Sequence, residues 1–528
     1  MNGARVLMET LVSCGVDTCF TNPGTSEMQF VAALDDVHGM RGVLGLFEGV
    51  VTGAADGYGR MTGRPAATLL HLGPGLGNGI ANLHNARRAR TPIVNVIGDH
   101  ATYHRRYDAP LQSDIRSLAS PVSEWFSTVE SASDTASSTL EAYRASMGPP
   151  SGVATLVVPA DVSWSEAPAA PSGSRPGHGT TPARGEIDSE AVALALKALR
   201  SGEPAALFVG GRVTRRDGLE AAARVADATG AKLLCETFPA RLERGAGIPA
   251  VERLAYLAEM AGVQLAGLKH LLLVDAKSPA SFFAYPGKPS DLVPEGCEVT
   301  VLAGPADDAV GALEALADEL GAREVSAPRL QQVPRVAQAD LPNGSLSAQN
   351  AAVVIGALLP EGAVVSDEAN TGGIFLAGAT AGAPPHDWLC LTGGAIGQGL
   401  PVGTGAAVAC PDRKVLCLQA DGSAMYTLQS LWTQAHEGLD VTTVIYNNGS
   451  YAVLEMELDR VGAGSPGPRA RSMLELSGPD IDFVSLARGM GVPAWRSSTC
   501  EEFATHLGAA IAQPGPALVE AMVGRRLG

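Results

Sequence analysis

Apolar and polar positions alternate along this chain in short bursts. β-Branched, apolar runs occur at residues 66–72, 93–97 and 154–158, again at 205–209, 271–274 and 299–302, and again at 363–365, 415–418, 441–446 and 517–520. Helical patterns fill the intervals, and short apolar runs alternating with helical patterns are the signature of parallel sheets with helices packed on both faces. Two stretches break the rhythm: residues 166–186, rich in Pro, Gly, Ser and Ala, and residues 323–346, polar with three prolines. Both read as linkers. The pattern therefore predicts an α/β chain of three consecutive domains, 1–165, 187–322 and 345–528, each with a mainly parallel sheet flanked by helices. No short-period repeat of the solenoid kind is present.

Composition narrows the possible partners. Lys plus Arg number 38 and Asp plus Glu 55, so the net charge is 38 − 55 = −17, which argues against nucleic acid or an anionic membrane as the main partner. Glycine supplies 62 of 528 residues, about 12% against an average near 7%. That excess points to tight turns and to places where backbone approaches a ligand. The first residues carry Arg5 and Glu9 inside the apolar pattern and lack the order of a signal peptide, and no run approaches the ~20 apolar residues of a membrane span. Eight scattered cysteines without a Cys-x-x-Cys pair read as reduced thiols, so a cytoplasmic protein is expected.

Two segments carry candidate chemistry. Gly75, Gly77 and Gly79 follow a predicted strand and open a predicted helix, with Asp99 further on, in the manner of a loosened dinucleotide fingerprint. Pro74 interrupts that turn and the third glycine is out of place, so close packing of the helix on its strand is the preferred reading. The stronger signal is Asp421-Gly422-Ser423 after the run 415–418, with Asn447-Asn448-Gly449-Ser450 after the run 441–446. The separation, 448 − 421 = 27 residues, accommodates a helix at 430–436 and a return strand. Both clusters then fall at carboxyl ends of adjacent parallel strands, where such sheets bind ligands. Asp421 offers a carboxylate, Asn448 an amide oxygen and the turn at Gly449 and Ser450 a backbone carbonyl. Hard oxygens of this kind suit Mg²⁺ sharing its shell with a diphosphate, towards which Ser423 and Gly422 would donate. Either dipeptide by itself reads as an ordinary turn.

This pairing resembles the thiamine diphosphate and Mg²⁺ motif of the thiamine diphosphate-dependent 2-oxo acid decarboxylases and acetohydroxyacid synthases. Ala420 departs from the glycine usual in that family. The resemblance extends over the chain and implies a thiamine diphosphate-binding fold at both ends, pyrimidine-binding first and diphosphate-binding last, around a Rossmann-like middle domain. It implies that Glu48, in FEGVVTGAADGYGR, activates the cofactor by bonding its aminopyrimidine. By the same resemblance Gly394 offers its carbonyl to the aminopyrimidine, Ile396 props the bent cofactor, and Asn370 and Thr371 contact the diphosphate. Read alone, Asn370 and Thr371 would cap a helix and Ile396 would be core.

The wording of NPGTSEMQFVAALD and IGDHATYHRRYDAPLQSDI is most similar to acetolactate synthase large subunits, a branch close to benzoylformate decarboxylases. The resemblance implies that Thr25 hydrogen-bonds a substrate carboxylate and that His71 shuttles a proton. The segment SFFAYPG at 281–287 stands where a second histidine is expected. Gly210, Gly211 and Arg212 are the one hint of a flavin site, and FAD is not predicted. Glu457 falls on a helix lining the substrate pocket, where it would face a polar or cationic substituent, pair with an arginine among residues 468–471, or sit on an exposed face. The implied activity is decarboxylation of a small 2-oxo acid with transfer of the resulting enamine to an acceptor carbonyl. The alternatives are a decarboxylase releasing an aldehyde, a nicotinamide-dependent oxidoreductase built on Gly75 to Gly79, and an inactive partner subunit. A homodimer or homotetramer with sites at the subunit interface is expected.

Overall fold

A computed structural model describes residues 1–168, 185–464 and 466–524. Three sheets organise it. The first contains Thr18–Thr21 (β1), Arg41–Leu44 (β2), Ala66–His71 (β3), Ile93–Asp99 (β4), Trp125–Thr128 (β5) and Val153–Pro159 (β6), all parallel, in the order β2-β1-β3-β4-β6-β5. The second contains Ala205–Val209 (β7), Lys232–Cys235 (β8), Glu252–Arg253 (β10), His270–Val274 (β11) and Glu298–Ala303 (β12), parallel, in the order β10-β8-β7-β11-β12. Val364–Glu368 (β13), His386–Leu389 (β14), Val415–Ala420 (β15), Val441–Asn447 (β16), Ala494–Ser497 (β17) and Ala517–Met522 (β18) make the third. Its order is β17-β18-β16-β15-β13-β14-β9, where Leu242–Arg244 (β9) pairs antiparallel with β14.

Every apolar run singled out in the sequence falls on one of these strands, with Leu72 and Ala363 just outside; the central strands are buried on both faces and so read as continuous, whereas β12, at a sheet edge, leaves Val299 and Val301 exposed. The strands without such a run are short, two to four residues long, or carry polar ends, as β1 and β2 do with Thr18 and Arg41. β9 was not foreseen: it lies between the two linkers yet joins the sheet of the last third. Residues 169–184 of the first expected linker lie outside the described residues. The second, 323–346, forms two short 3₁₀ turns, Ala327–Arg329 and Gln338–Asp340, and is pinned where Arg335 donates to the carbonyl of Leu359 at 2.7 Å. Among the described residues no helix is long and apolar enough to cross a membrane.

Four helices position the candidate site: Glu48–Thr62 (α1), Leu72–Ala89 (α2), Gly399–Ala409 (α3) and Ala452–Arg460 (α4). α1 starts with an acid in its first turn, favourable to the helix dipole, and stops at Gly63, which adopts φ +67°. Its residues from Glu48 to Met61 are all buried, because α1 crosses α3 at unusually close range. A Cβ on Gly57 would lie 2.0 Å from the Val402 carbonyl oxygen, and one on Gly405 would lie 1.8 Å from that of Ala54. Glycine costs about 0.5–1 kcal/mol in a helix interior, and here the missing side chains are what let backbone meet backbone. Arg60 then ties the units together. It pairs with Asp56 at 2.5 Å, both side chains being fully buried, and donates to the Cys390 carbonyl at 2.7 Å and to the Thr392 hydroxyl at 2.9 Å.

The middle sheet is latched to the first unit at its own reversal of strand order, between β7 and β11. Asp275, directly after β11, pairs with Arg90 and accepts the Arg212 N–H at 2.8 Å. Glu236, after β8, lies against Gly210, where a Cβ would come within 2.8 Å of its carboxylate oxygen Oε2. Burial pushes the Glu236 carboxyl up to about 7, against the pull of Arg90.

Three outcomes follow for stability. Gly57→Ala should destabilise the protein by about 1–3 kcal/mol through overpacking. Gly77→Ala, in α2 with open space around its Cβ, should stabilise it by about 0.5–1 kcal/mol. Denaturant melts of the two variants check the opposite signs. Because the folded-state pKa of Glu236 lies above its unfolded value, its stabilising contribution is complete below about pH 4.5 and is lost as pH rises through about 7. Glu236→Gln should flatten this loss in urea denaturation measured across that window.

Candidate active site

In open parallel sheets, ligands bind beyond the carboxyl ends of strands where the strand order reverses. The first sheet reverses between β1 and β3, and the third between β13 and β15. Thr25 and His71 lie at the first and Asp421 at the second, while Glu48 follows β2, Gly394 and Ile396 follow β14, and Asn448 and Ser450 follow β16.

At the first, the chain leaves β1 through residues 22–25 and turns at Thr25–Glu27, while β3 ends on His71. Gly24 lies flat against the imidazole, since a Cβ there would approach the ring to 2.3 Å. Thr25, next in sequence, stands exposed. Glu27 is the residue that sequence reasoning missed. It is fully buried, its Oε2 accepts the Gly24 N–H at 2.8 Å and lies 2.7 Å from His71 Nδ1, and its Oε1 has no hydrogen-bond partner. Burial raises its pKa, while His71 and the Gly24 N–H pull the other way. The available signal was an acid three residues after Gly24, the spacing of a capping box.

Glu48 opens α1 and is 7% exposed. Its Oε2 accepts a hydrogen bond from Asn78 Nδ2 of α2 at 3.0 Å, a second partner not foreseen. The glycines at 75–79 explain how α2 approaches. They lie inside the helix rather than in a phosphate-binding turn, and Gly75 and Gly79 face Glu48 and Thr52, with Leu70 and His71 of β3 also against Gly75. Close packing is the role of Gly75 and Gly79, Gly77 faces open space, and Asp99 is engaged by Arg105 at 2.8 Å.

At the second reversal, Asp421 follows β15 and is 3% exposed. Its Oδ1 accepts the Gly422 N–H at 2.8 Å, and its Oδ2 accepts those of Asn448 at 3.0 Å and Gly449 at 2.7 Å. Burial raises the Asp421 pKa and these N–H groups oppose the rise. The two turns after β15 and β16 are thus one object, as their spacing predicted. Asn448 Oδ1 accepts the Ser450 N–H at 2.9 Å, and the Gly449 carbonyl accepts the Leu476 N–H at 2.8 Å. Gly422 is required where it stands, since a Cβ would meet the Tyr451 ring at 2.4 Å. Ser423 accepts from Gln419 at 2.9 Å, and Ala420 is extended.

Glu368, at the end of β13, was also missed. Its carboxylate accepts the N–H groups of Gly397 at 2.7 Å and Gly399 at 2.6 Å and the Gln419 amide at 2.8 Å, and burial raises its pKa. It therefore anchors the loop that carries Gly394, at φ +75°, and the half-buried Ile396. From the other side the Asn85 side-chain amide of α2 donates to the Ala395 carbonyl at 2.8 Å and accepts the Ala395 N–H at 3.2 Å, and His84 lies 3.1 Å from the Gly393 carbonyl. Asn370 is exposed at φ +50° and Thr371 follows it in the turn Asn370–Gly373, with no side-chain cap.

Glu457 on α4 is neither exposed nor paired within 468–471. Its carboxylate accepts from Tyr285 at 2.8 Å and Tyr256 at 3.4 Å, with Arg460 3.6 Å away. The partner is one turn along the same helix, and the two phenols come from the middle third.

The donor set can be tested against the expected groups. Among the described residues no cluster of three or more His, Cys, Asp or Glu side chains could hold a metal alone. One buried carboxylate and one amide at the strand ends fit a Mg²⁺ that takes the rest of its shell from a diphosphate and water.

Comparison with known proteins agrees with this geometry. Residues 1–120 match the thiamine pyrophosphate enzyme N-terminal TPP binding domain, and residues 375–521 match the thiamine pyrophosphate enzyme C-terminal TPP binding domain. The chain is 60% identical, over 99% of both lengths, to a Mycobacterium tuberculosis protein provisionally named acetolactate synthase large subunit IlvX. It is 29% identical, over 97% of both lengths, to benzoylformate decarboxylase of Pseudomonas aeruginosa. Its fold superposes on the thiamine diphosphate-dependent 4-hydroxybenzoylformate decarboxylase of Rhodococcus jostii RHA1 with a TM-score of 0.85, at 25% identity over 99% of both chains.

Proposed function

Because this chain belongs to the thiamine pyrophosphate enzymes, we propose that it is a thiamine diphosphate- and Mg²⁺-dependent carboligase of the acetolactate synthase kind, which decarboxylates a 2-oxo acid and transfers the remaining fragment to an acceptor carbonyl. The observation that carries this reading is Asp421, buried at the end of β15 and gathering the N–H groups of 422, 448 and 449. A carboxylate so held is a fixed hard ligand beside a turn of donors.

Thiamine diphosphate supplies the nucleophilic carbon and the electron sink for decarboxylation. In this reading Asp421, Asn448 and the turn at Gly449 and Ser450 hold Mg²⁺, while Gly422, Ser423, Asn370 and Thr371 face the diphosphate. Gly394 and Ile396 orient the aminopyrimidine end, and Glu48 holds a proton at its ring nitrogen. Asn78 keeps the Glu48 carboxylate aligned. Thr25 binds the substrate carboxylate. His71 moves a proton, with Glu27 fixing its Nδ1 side so that Nε2 is free to act. That last pairing supports a second reading, protonation of the fragment and release of an aldehyde, as in a benzoylformate decarboxylase.

We further infer that residues 1–165 act as the pyrimidine-binding unit, 187–322 as the middle unit and 345–528 as the diphosphate-binding unit, in a cytoplasmic homodimer or homotetramer. Exposure of Thr25 and Asn370 in the single chain supports a site completed by a second copy, and eight free cysteines support a reducing compartment.

Incubation with thiamine diphosphate, Mg²⁺ and pyruvate, phenyl, branched or basic 2-oxo acids, with products identified by mass, tests the proposal. CO₂ release with a 2-hydroxy ketone or acetohydroxy acid is expected. No turnover on any acid, together with no cofactor-dependent thermal shift, would sink it, and aldehyde alone would select the second reading. Glu48→Gln should lower kcat by about 10²–10⁴-fold while calorimetry shows cofactor affinity changed only a few-fold.

A further inference from the structure

We propose that Asn82 is a positioning residue: its side-chain amide joins the first turn of α1 to the loop that carries Ile396, and so sets the register between Glu48 and Ile396. This rests on the proposed reading of those two residues as the partners of the aminopyrimidine end of the cofactor.

Three asparagines, Asn78, Asn82 and Asn85, interrupt the small and apolar residues of α2. Spacings of four and three put them on one face of the helix. Asparagine is a poor helix former, and a buried amide is costly unless its donors and acceptor are matched. Asn82 and Asn85 are nevertheless buried, and their partners explain why. Asn82 Nδ2 donates to the Gly49 carbonyl at 2.7 Å and to the Gly397 carbonyl at 3.3 Å, while its Oδ1 accepts from Asn85 Nδ2 at 3.1 Å. Both donors and the acceptor of the amide are therefore used. Gly53 makes room for it on α1, since a Cβ there would lie 3.0 Å from Asn82 Nδ2.

The consequence falls on Ile396. On one side of it, Asn85 holds both the N–H and the carbonyl of Ala395. On the other, the Gly397 N–H donates to Glu368 at 2.7 Å, and the Gly397 carbonyl accepts from Asn82 and from the Thr427 hydroxyl at 2.9 Å. Both neighbours of Ile396 are thus clamped, and the helix that supplies Asn82 and Asn85 also aligns the Glu48 carboxylate through Asn78. α2 works as a ruler whose marks are Asn78 at Glu48, Asn82 at Gly49 and Gly397, and Asn85 at Ala395. Asn82 is the mark bonded to both sides. Without its amide, Glu48 keeps Asn78 and Gly397 keeps Glu368 and Thr427, so each side stays formed while the register between them loosens.

The test uses the full chain with Mg²⁺ and calorimetry of two probes, thiamine diphosphate and inorganic pyrophosphate, the second of which lacks the aminopyrimidine end. Asn82→Ala should weaken thiamine diphosphate binding by about three- to tenfold and leave pyrophosphate binding unchanged. At saturating cofactor it should lower kcat by about 10- to 100-fold without changing KM for the 2-oxo acid. Asn82→Ser, whose shorter hydroxyl has one proton to donate, should fall between Asn82→Ala and the unmodified protein. Unchanged thiamine diphosphate affinity and kcat in Asn82→Ala overturns the inference. Equal weakening of both probes overturns it too, because that marks a general structural role, as does failure of both variants to fold. Absence of thiamine diphosphate binding and turnover in the unmodified protein overturns the proposed reaction and the ruler with it, a result distinct from any loss confined to the variants.

Discussion

The arrangement of the site depends on the crossing of α1 and α3, the point where the first and third sheets become one body. Gly53, Gly57 and Gly405 bring two helix backbones into contact, and a methyl group at any of them would meet a neighbour at 2.6 Å or less. The same crossing fixes both halves of the candidate site. Glu48 is the first residue of α1, and α3 begins at Gly399, where the loop carrying Gly394 and Ile396 ends. A shift of one helix would misalign both. Arg60 secures the contact with a buried ion pair to Asp56, and further bonds to Cys390, Thr392 and Gln398 satisfy its remaining donors. An ion pair this deep contributes by geometry more than by net stability, since desolvation offsets much of the attraction.

Three buried acids do a related job around the crevices. Glu27, Glu368 and Asp421 each collect backbone N–H groups from a loop that leaves a strand end: Gly24 for the first, Gly397 and Gly399 for the second, Gly422, Asn448 and Gly449 for the third. Charge-assisted bonds of this type offset much of the cost of burying a carboxylate. The surplus of glycine thereby acquires a structural reason at these loops, because glycine lets the chain turn tightly enough for successive N–H groups to converge.

The middle third contributes in two ways that its composition did not announce. β9 pairs with β14, so this part of the chain is stitched into the last sheet. Its rings cover Gly394 and its tyrosines hold Glu457. Residues 281–287 looked like the loss of a histidine in the sequence, and in the structure they bring the Phe282 ring against Gly394 and the Tyr285 hydroxyl to Glu457.

Much was legible without coordinates. Apolar runs determined the long central strands, since burial on both faces demands uninterrupted hydrophobicity, and the 27-residue interval from Asp421 to Asn448 determined that two polar turns share one end of one sheet. Strand periodicity and turn chemistry are local, so the chain states them directly. The short strands, the hold of Glu27 on His71, of Asn78 on Glu48 and of Tyr285 on Glu457, and the placement of Phe282 over Gly394 were decided only by tertiary structure. Several of these bonds join residues tens to hundreds of positions apart, such as 44 for Glu27 and His71 and 172 for Tyr285 and Glu457. Nothing in the spacing of such residues records the meeting, because the packing of helices and sheets brings them together.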